Sequence, residues 1–404
     1  MTDLRWIVGP AALLLLAAAV ELAARWWVRR RKLYYVFPPG LRLLLHPQRT
    51  VFPQLEPSIR FEVNREGERG DEVPRPRPDE TLYRVLVAGG SQPEGYLLDQ
   101  HTSWPGALPG LLETPDRLQR LGASRVHVGS IARSGVGSEA LSLILRRVLP
   151  RYPRLQAIVI LVGASDVLRW LEQGAPPSPP TASSTSDVFM CHPEQRFAWR
   201  PASLAAVELV RRWRHRVLGP VDEHERAGSW IGKARAMRAR AKVIRTAMPD
   251  PEPMLSHFEH HFRQVLRQAG AHADRVLVVR QPWFDRDLTP EEAAQMWHGG
   301  VGQAWKEDVT AYYSHEVLAR LMALLDATAS RVARELEIAQ LDLRPIVPPS
   351  LETYYDFFHL TPAGARAVAP AVATALVDPP LAINGPNDVA VAPNDGPRDV
   401  ERAS

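Results

Sequence analysis

Ser91 follows a short apolar run, Arg84 to Ala88, and two glycines, Gly89 and Gly90. A serine just past the C-terminal end of a strand stands where open α/β sheets hold their ligands, and it becomes a nucleophile if a neighbouring base takes its proton. The glycines let the chain turn sharply, and a helix starting at the serine would add N–H donors and a favourable dipole. A base and an orienting acid occur near the other end of the chain, in Asp356-Phe357-Phe358-His359, before an apolar stretch from Ala363 to Leu376. An Asp and a His three apart before a helix can share one turn. The carboxylate then fixes the imidazole tautomer while the second ring nitrogen faces Ser91. Two further segments hold glycines and short polar residues: Ser130 to Ser138, with Gly135-Val136-Gly137, and Gly163-Ala164-Ser165-Asp166. N–H groups and short side chains aimed at one point from neighbouring strand ends are what an oxyanion hole requires. Each signal alone has a plainer reading: a helix cap at Ser91, a surface turn at Asp356-x-x-His359, tight turns at the glycines. Together, each at a strand end and in sheet order, they point to nucleophilic catalysis. Gly135-Val136-Gly137 is not a nucleotide loop, because the third glycine and the lysine of such loops are missing.

These residues need rigid elements behind them. Runs rich in Val, Ile and Leu occur at Arg84 to Ala88, Arg125 to Val128, Ala157 to Val162, Arg275 to Val279 and Ile338 to Leu343. Strands buried on both faces read this way. Ser138 to Leu149, Pro253 to Ala269 and Thr310 to Leu336 carry apolar residues at helical spacing. The alternation predicts a three-layer α/β/α sandwich around a five-stranded parallel sheet. Residues 33–82 are rich in proline without sustained periodicity and read as an extended connector, with one short strand at Arg60 to Asn64. The α/β domain is expected over 83–377, interrupted by a Pro/Ser-rich loop at 174–186 and a basic helical insertion at 202–248. The tail, 378–404, lacks apolar periodicity and is expected to be disordered.

The chain has 404 residues, 45% of them hydrophobic and 23% charged, which excludes a disordered, collagen-like or multi-span protein. Its single cysteine, Cys191, excludes an internal disulfide framework and a cysteine-based zinc site. A net charge of +4 is mild for this length, and no nucleic-acid partner is expected. From Trp6 to Ala24 the chain is apolar except for Glu21, and this is just long enough to cross a bilayer as a helix. Trp26, Trp27 and the bases Arg29, Arg30, Arg31 and Lys32 follow, as in an interfacial anchor, with no small-residue cleavage site before a polar start. Residues 1–32 therefore read as an uncleaved single-pass anchor with a basic flank. By the positive-inside rule, that flank would hold the body of the protein in the cytoplasm.

With these motifs in view, the sequence resembles the SGNH, or GDSL-like, hydrolase family from about Tyr83 to Leu376. VLVAGGS resembles the first family block, SIARSG the second, VGASD the third and DFFH the last. The stretch FEVNREGERG is also similar to the lead-in of membrane-anchored members. The resemblance implies a flavodoxin-like sheet, Ser91 as nucleophile, His359 as base and Asp356 as its partner. It further implies the N–H groups of Ser91 and Gly135 as oxyanion donors. Ser165 stands where the family has asparagine, so a shorter, rotatable hydroxyl replaces a side-chain amide. The implied activity is hydrolysis of an ester, acyl or acetyl, on a cell-envelope glycan or a lipid, without metal or other cofactor. Transfer of the acyl group to a surface polysaccharide is the alternative enzyme reading. A glycan-binding or scaffolding role without catalysis is the alternative from another class. Anchored relatives imply an extracytoplasmic body, against the indication of the basic flank.

Four weaker signals complete the reading. His257 and His261 are spaced to share a helix face, with no third metal ligand implied from elsewhere, so no metal is expected. The basic insertion reads as a charged helical face or as a contact for anionic headgroups or an acidic polysaccharide. Gln281-Pro282-Trp283-Phe284 is placed either to line a cleft or to pack, and Trp297-His298-Gly299-Gly300 to form a mobile lid.

Overall fold

The Val, Ile and Leu runs form one parallel sheet in the computed structural model, which describes residues 5–31, 33–75, 77–178, 183–219, 221–224 and 227–378. Its strands are β1 (Leu82–Gly89), β2 (Arg125–Ser130), β3 (Leu155–Leu161), β4 (Ala273–Arg280) and β5 (Ala339–Asp342). They lie in the order β5-β4-β3-β1-β2, all neighbours parallel. β1 and β3 are buried along almost their whole length, which explains their lack of polar alternation. The chain leaves β1 for β2 on one side and returns past it to β3. A crevice opens at such a switch point, beyond the strand ends. Ser91 lies two residues past the end of β1, on this side of the sheet.

Nine helices matter here: α1 (Arg5–Arg31), α2 (Trp104–Leu112), α3 (Ser138–Val148), α4 (Ala164–Glu172), α5 (Ala205–Val217), α6 (Ala227–Ala239), α7 (Glu252–His272), α8 (His315–Glu335) and α9 (Pro362–Val377). α3, α7 and α8 pack together in one layer, and α2 packs with α9 in the other. α8 illustrates the cause: Val317, Leu321, Leu325, Ala329 and Val332 recur at helical spacing and are all buried. It starts at His315 rather than Thr310 because Ser314 caps it, its side chain accepting from Val317 N–H. Residues Ala311–Tyr313 instead pair in parallel with Val243–Arg245.

Segment 33–82 differs from the extended connector its prolines suggest. Arg42–His46 pairs antiparallel with Ile59–Glu62 and parallel with Val221–His224 of the basic insertion. Phe37, Leu45, Phe52, Ile59 and Phe61 are buried and join the same apolar core as the sheet. The apolar residues lie in pieces too short to show a period, yet burying them holds the segment to the body. The insertion contributes α5, α6 and two short strands. The expected disordered tail lies outside the described residues from 379 onward, as do residues 179–182 of the Pro/Ser-rich loop.

Among the described residues, α1 is the one helix long and apolar enough to cross a membrane, over Gly9–Arg31. Leu13, Leu14, Leu15, Leu16, Val20 and Leu22 on it are exposed, so it is no core helix of the sandwich.

Candidate active site

Ser91, His359 and Asp356 are brought into one line of hydrogen bonds. His359 Nε2 lies 2.7 Å from Ser91 Oγ, and His359 Nδ1 lies 2.8 Å from Asp356 Oδ2. Asp356 is fully buried, and its Oδ1 also accepts the backbone N–H groups of Phe358 (2.9 Å) and His359 (2.8 Å). These bonds fold residues 356–359 into a tight turn, closed by the bridge between Tyr354 and Leu360. Thr361 then caps α9, accepting from Gly364 N–H.

Charge follows geometry. Burial disfavours a charged His359 ring, but the Asp356 carboxylate overrides this by charge and hydrogen bond and holds the imidazole above its ordinary pKa of 6.5. Burial alone would likewise raise the Asp356 carboxyl; the charge of His359 and the hydrogen bonds from His359 and Phe358 hold it well below the usual carboxylate range.

Glycine is required just before the serine. Gly89 has φ of +158°, and a methyl group on it would sit 1.8 Å from the Leu161 carbonyl oxygen of β3. A methyl group on Gly90 would lie 3.1 Å from the Val136 carbonyl oxygen and 3.8 Å from Ser165 Oγ. The loop after β2 and the loop after β3 therefore both converge on the backbone preceding Ser91. Gly135, one residue before that contact, has a left-handed backbone (φ +74°) and no heavy atom within 4 Å of where a side chain would start. Asp166 binds the two loops together, accepting from Ser138 N–H (3.0 Å) and Ser138 Oγ (2.6 Å). The helix expected to start at Ser91 is a single turn, Ser91–Glu94, closed by left-handed Gly95, so the dipole it adds is small.

Several residues shape this region without a recognisable sequence signal. Buried Glu94 accepts from Ser134 N–H (2.8 Å) and from the Ser134 hydroxyl, fixing the loop that holds Gly135. Arg69, from FEVNREGERG, is buried and donates to the carbonyls of Glu94, Gly95 (2.8 Å) and Leu98 (2.6 Å), at and just after the turn carrying Ser91. Burial lowers its pKa only to about 10, so it stays charged at neutral pH. Its neighbour Glu68 accepts from Asn64 (3.0 Å), Arg84 (2.9 Å) and His127 (3.0 Å). The lead-in is thus a brace between β1, β2 and the turn carrying Ser91.

Trp297 Nε1 donates to Asp356 Oδ2 at 3.1 Å, and His298 packs between Trp297 and Phe358. The segment expected to be a lid is instead a wall, with His298 buried and its pKa pushed down to about 3 by that burial. Trp283 and Phe284 are buried packing groups; Phe284 N–H donates to Phe357 carbonyl at 2.9 Å and so supports the Asp356 turn. From the basic insertion, Arg235 donates to the carbonyls of Val51 (2.6 Å), Gln295 (2.9 Å) and Tyr355 (2.8 Å). His257 and His261 do meet a third potential ligand, Glu139 of α3, with His257 Nε2 at 3.4 Å from Glu139 Oε2.

No family model matches the chain, and no curated protein matches it. Solved structures similar to it include Axe2, an acetylxylan esterase from Geobacillus stearothermophilus, at 13% identity. That match covers 73% of this chain and 94% of Axe2, with a TM-score of 0.38. Another is LAE5, an alpha/beta hydrolase enzyme from the metagenome of Lake Arreo, Spain, at 12% identity, the same coverage and a TM-score of 0.38.

Proposed function

We propose that this protein is a membrane-anchored serine esterase of the SGNH kind. The observation that carries the reading is the continuous line from Ser91 Oγ through His359 to buried Asp356, with contacts of 2.7 Å and 2.8 Å. His359 takes the Ser91 proton as Oγ attacks the ester carbonyl carbon. Negative charge then develops on the carbonyl oxygen, facing the N–H groups of Ser91 and Gly135 and the Ser165 hydroxyl. The imidazolium formed is stabilised by Asp356 and gives its proton to the departing alcohol, leaving an acyl group on Ser91. Water, deprotonated by His359, releases the acid and restores the serine. The chemistry needs no metal or other cofactor.

Support for anchoring comes from α1 itself. Its apolar side chains stay exposed, while its Glu21 carboxylate accepts the N–H groups of Ala205 (2.9 Å) and Ala206 (3.0 Å) on α5. A segment fastened in this way to the body behaves as part of the mature protein rather than as a removable leader. On the resemblance to anchored family members, the body is taken to lie outside the cytoplasm, with an envelope glycan or lipid ester as substrate. A C-terminal alkaline phosphatase fusion is expected to be active, and an inactive but expressed fusion would reverse that orientation.

The catalytic reading is tested with a short-chain nitrophenyl ester. The full-length protein in detergent is expected to turn it over, and Ser91→Ala to lose roughly 10⁶-fold in kcat with unchanged circular dichroism. Undiminished turnover by Ser91→Ala would remove Ser91 from the mechanism.

A further inference from the structure

The insertion helix α5 carries an apolar stripe that is exposed among the described residues. Val207, Val210, Trp213 and Val217 recur at helical spacing and are exposed by 37%, 62%, 60% and 59%, with Leu218 beyond them at 51%. A soluble surface rarely leaves such a run of large side chains contiguous. α5 packs along the second half of α1, its first N–H groups meeting Glu21 and its Leu209, Arg212 and Trp213 lying near Trp27 and Arg31. The stripe thus continues the exposed apolar surface of residues 13–22 toward the basic end of α1. This accounts for the one charge in the apolar stretch of α1. The Glu21 carboxylate is buried, bound to the start of α5 and to Arg25 Nε at 2.6 Å.

Further along, the two helices carry the residues of a membrane–water boundary. Trp26 and Trp27 of α1, Trp199 just before α5 and Trp213 on it are all exposed by more than a third. Arg25 stacks on Trp199, Arg30 on Trp26 and Arg31 on Trp27, with guanidinium carbons 5.2, 4.8 and 4.4 Å from the ring centroids. Tryptophan belts flanked by bases mark the headgroup level of membrane proteins. At this end a cleft of about 340 Å³ opens between the helices, its walls including Trp27, Arg31, Leu209, Arg212, Trp213 and Arg216. Apolar side chains together with the guanidinium groups of Arg31, Arg216 and Arg212, the last paired with Glu208 at 3.0 Å, match a phospholipid whose headgroup is anionic.

We infer that α5 is a second membrane-contacting element, set in the bilayer interface beside α1 with its Val210 stripe in lipid and the basic cleft between the helices seating an anionic phospholipid headgroup. This rests on the reading of α1 as a membrane anchor. It gives the body a fixed tilt and height over the bilayer, because two non-adjacent segments of the chain then touch the same surface. α6, which follows α5 in the same insertion, donates through Arg235 to the Tyr355 carbonyl beside the proposed catalytic turn. The membrane contact and the site are therefore joined through one insertion.

The test uses the full chain in nanodiscs, with a nitroxide on single cysteines replacing Leu14, Val210 or Arg334. Cys191 stays unlabelled, being buried with its thiol pushed up to about 12. The labels at 14 and 210 are expected to collide with oxygen several-fold more than with an aqueous nickel chelate, and the label at 334 to show the reverse. A lipid-like signal at 14 with a water-like signal at 210 overturns the inference and leaves the anchor standing. Water-like signals at both overturn the two together. A label at 210 shielded from both reagents overturns the inference by showing that protein covers the stripe. For the cleft, native mass spectrometry of protein released from nanodiscs of phosphatidylglycerol and phosphatidylcholine is expected to retain the anionic lipid several-fold over the zwitterionic one. The Arg31→Gln/Arg216→Gln variant is expected to lose that preference, and equal retention of both lipids by the unmodified protein overturns the headgroup site.

Discussion

In the proposed mechanism, His359 has two duties that pull its basicity in opposite directions. It must be neutral to accept the Ser91 proton, yet the Asp356 carboxylate that stabilises its charged form holds its pKa above 6.5. The rate therefore falls on the acid side: kcat/KM is expected to rise with pH through a value above 6.5 and then level off. Asp356→Asn removes the stabilising charge, so that limb is expected to move to lower pH while kcat drops roughly 10⁴-fold. A pH–rate profile on both proteins checks the sign, and an unmoved limb would detach Asp356 from His359. Ser165 is the second residue under test. As an oxyanion donor its hydroxyl acts only in the transition state, so Ser165→Ala is expected to lower kcat by roughly 10²-fold with KM little changed. Ser165→Asn is expected to equal or exceed the rate of the unmodified protein, because a side-chain amide offers a less rotatable donor than a hydroxyl. The meeting of Ser91, Asp356 and His359 was legible in the sequence because each sits in a short motif, Ser91 just past β1 and Asp356-x-x-His359 just before α9. Trp297 was not, since its hydrogen bond to Asp356 joins residues 59 apart in sequence.

Elements were legible to the extent that burial leaves a period. The five strands stand out as apolar runs because helices cover both faces of the sheet. Segment 33–82 shows no such period, and its place in the core follows from scattered residues such as Phe52, Ile59 and Phe61. Basic residues on α6 read equally well as a solvated face, yet Arg235 spends its donors on three backbone carbonyls around the site. Arg69 is the sharpest case. Removing its guanidinium leaves the buried carbonyls of Glu94, Gly95 and Leu98 without their charged donor. Arg69→Met is accordingly expected to destabilise the fold by roughly 3 kcal/mol, at about 1.5–3 kcal/mol per charged hydrogen bond with incomplete additivity. Chemical denaturation of the full chain in detergent measures this, and an unchanged midpoint would reduce the lead-in from a brace to a bystander.

The whole molecule joins an apolar helix to an α/β sandwich by side-chain contacts as well as by the chain. Such a protein is expected to stay with the membrane fraction after alkaline carbonate washing, and release by that wash would contradict the anchor. We propose that the sheet, the two loops that meet behind Ser91 and the turn of Asp356 and His359 all serve Ser91 as a single nucleophile at the sheet's switch point. That claim is tested most directly by treating the full-length protein with a fluorophosphonate and locating the adduct by peptide mass spectrometry. The account predicts one adduct on Ser91, lost in Ser91→Ala and strongly slowed in His359→Ala. Folded protein that takes no adduct, or an adduct that persists in Ser91→Ala, would contradict it.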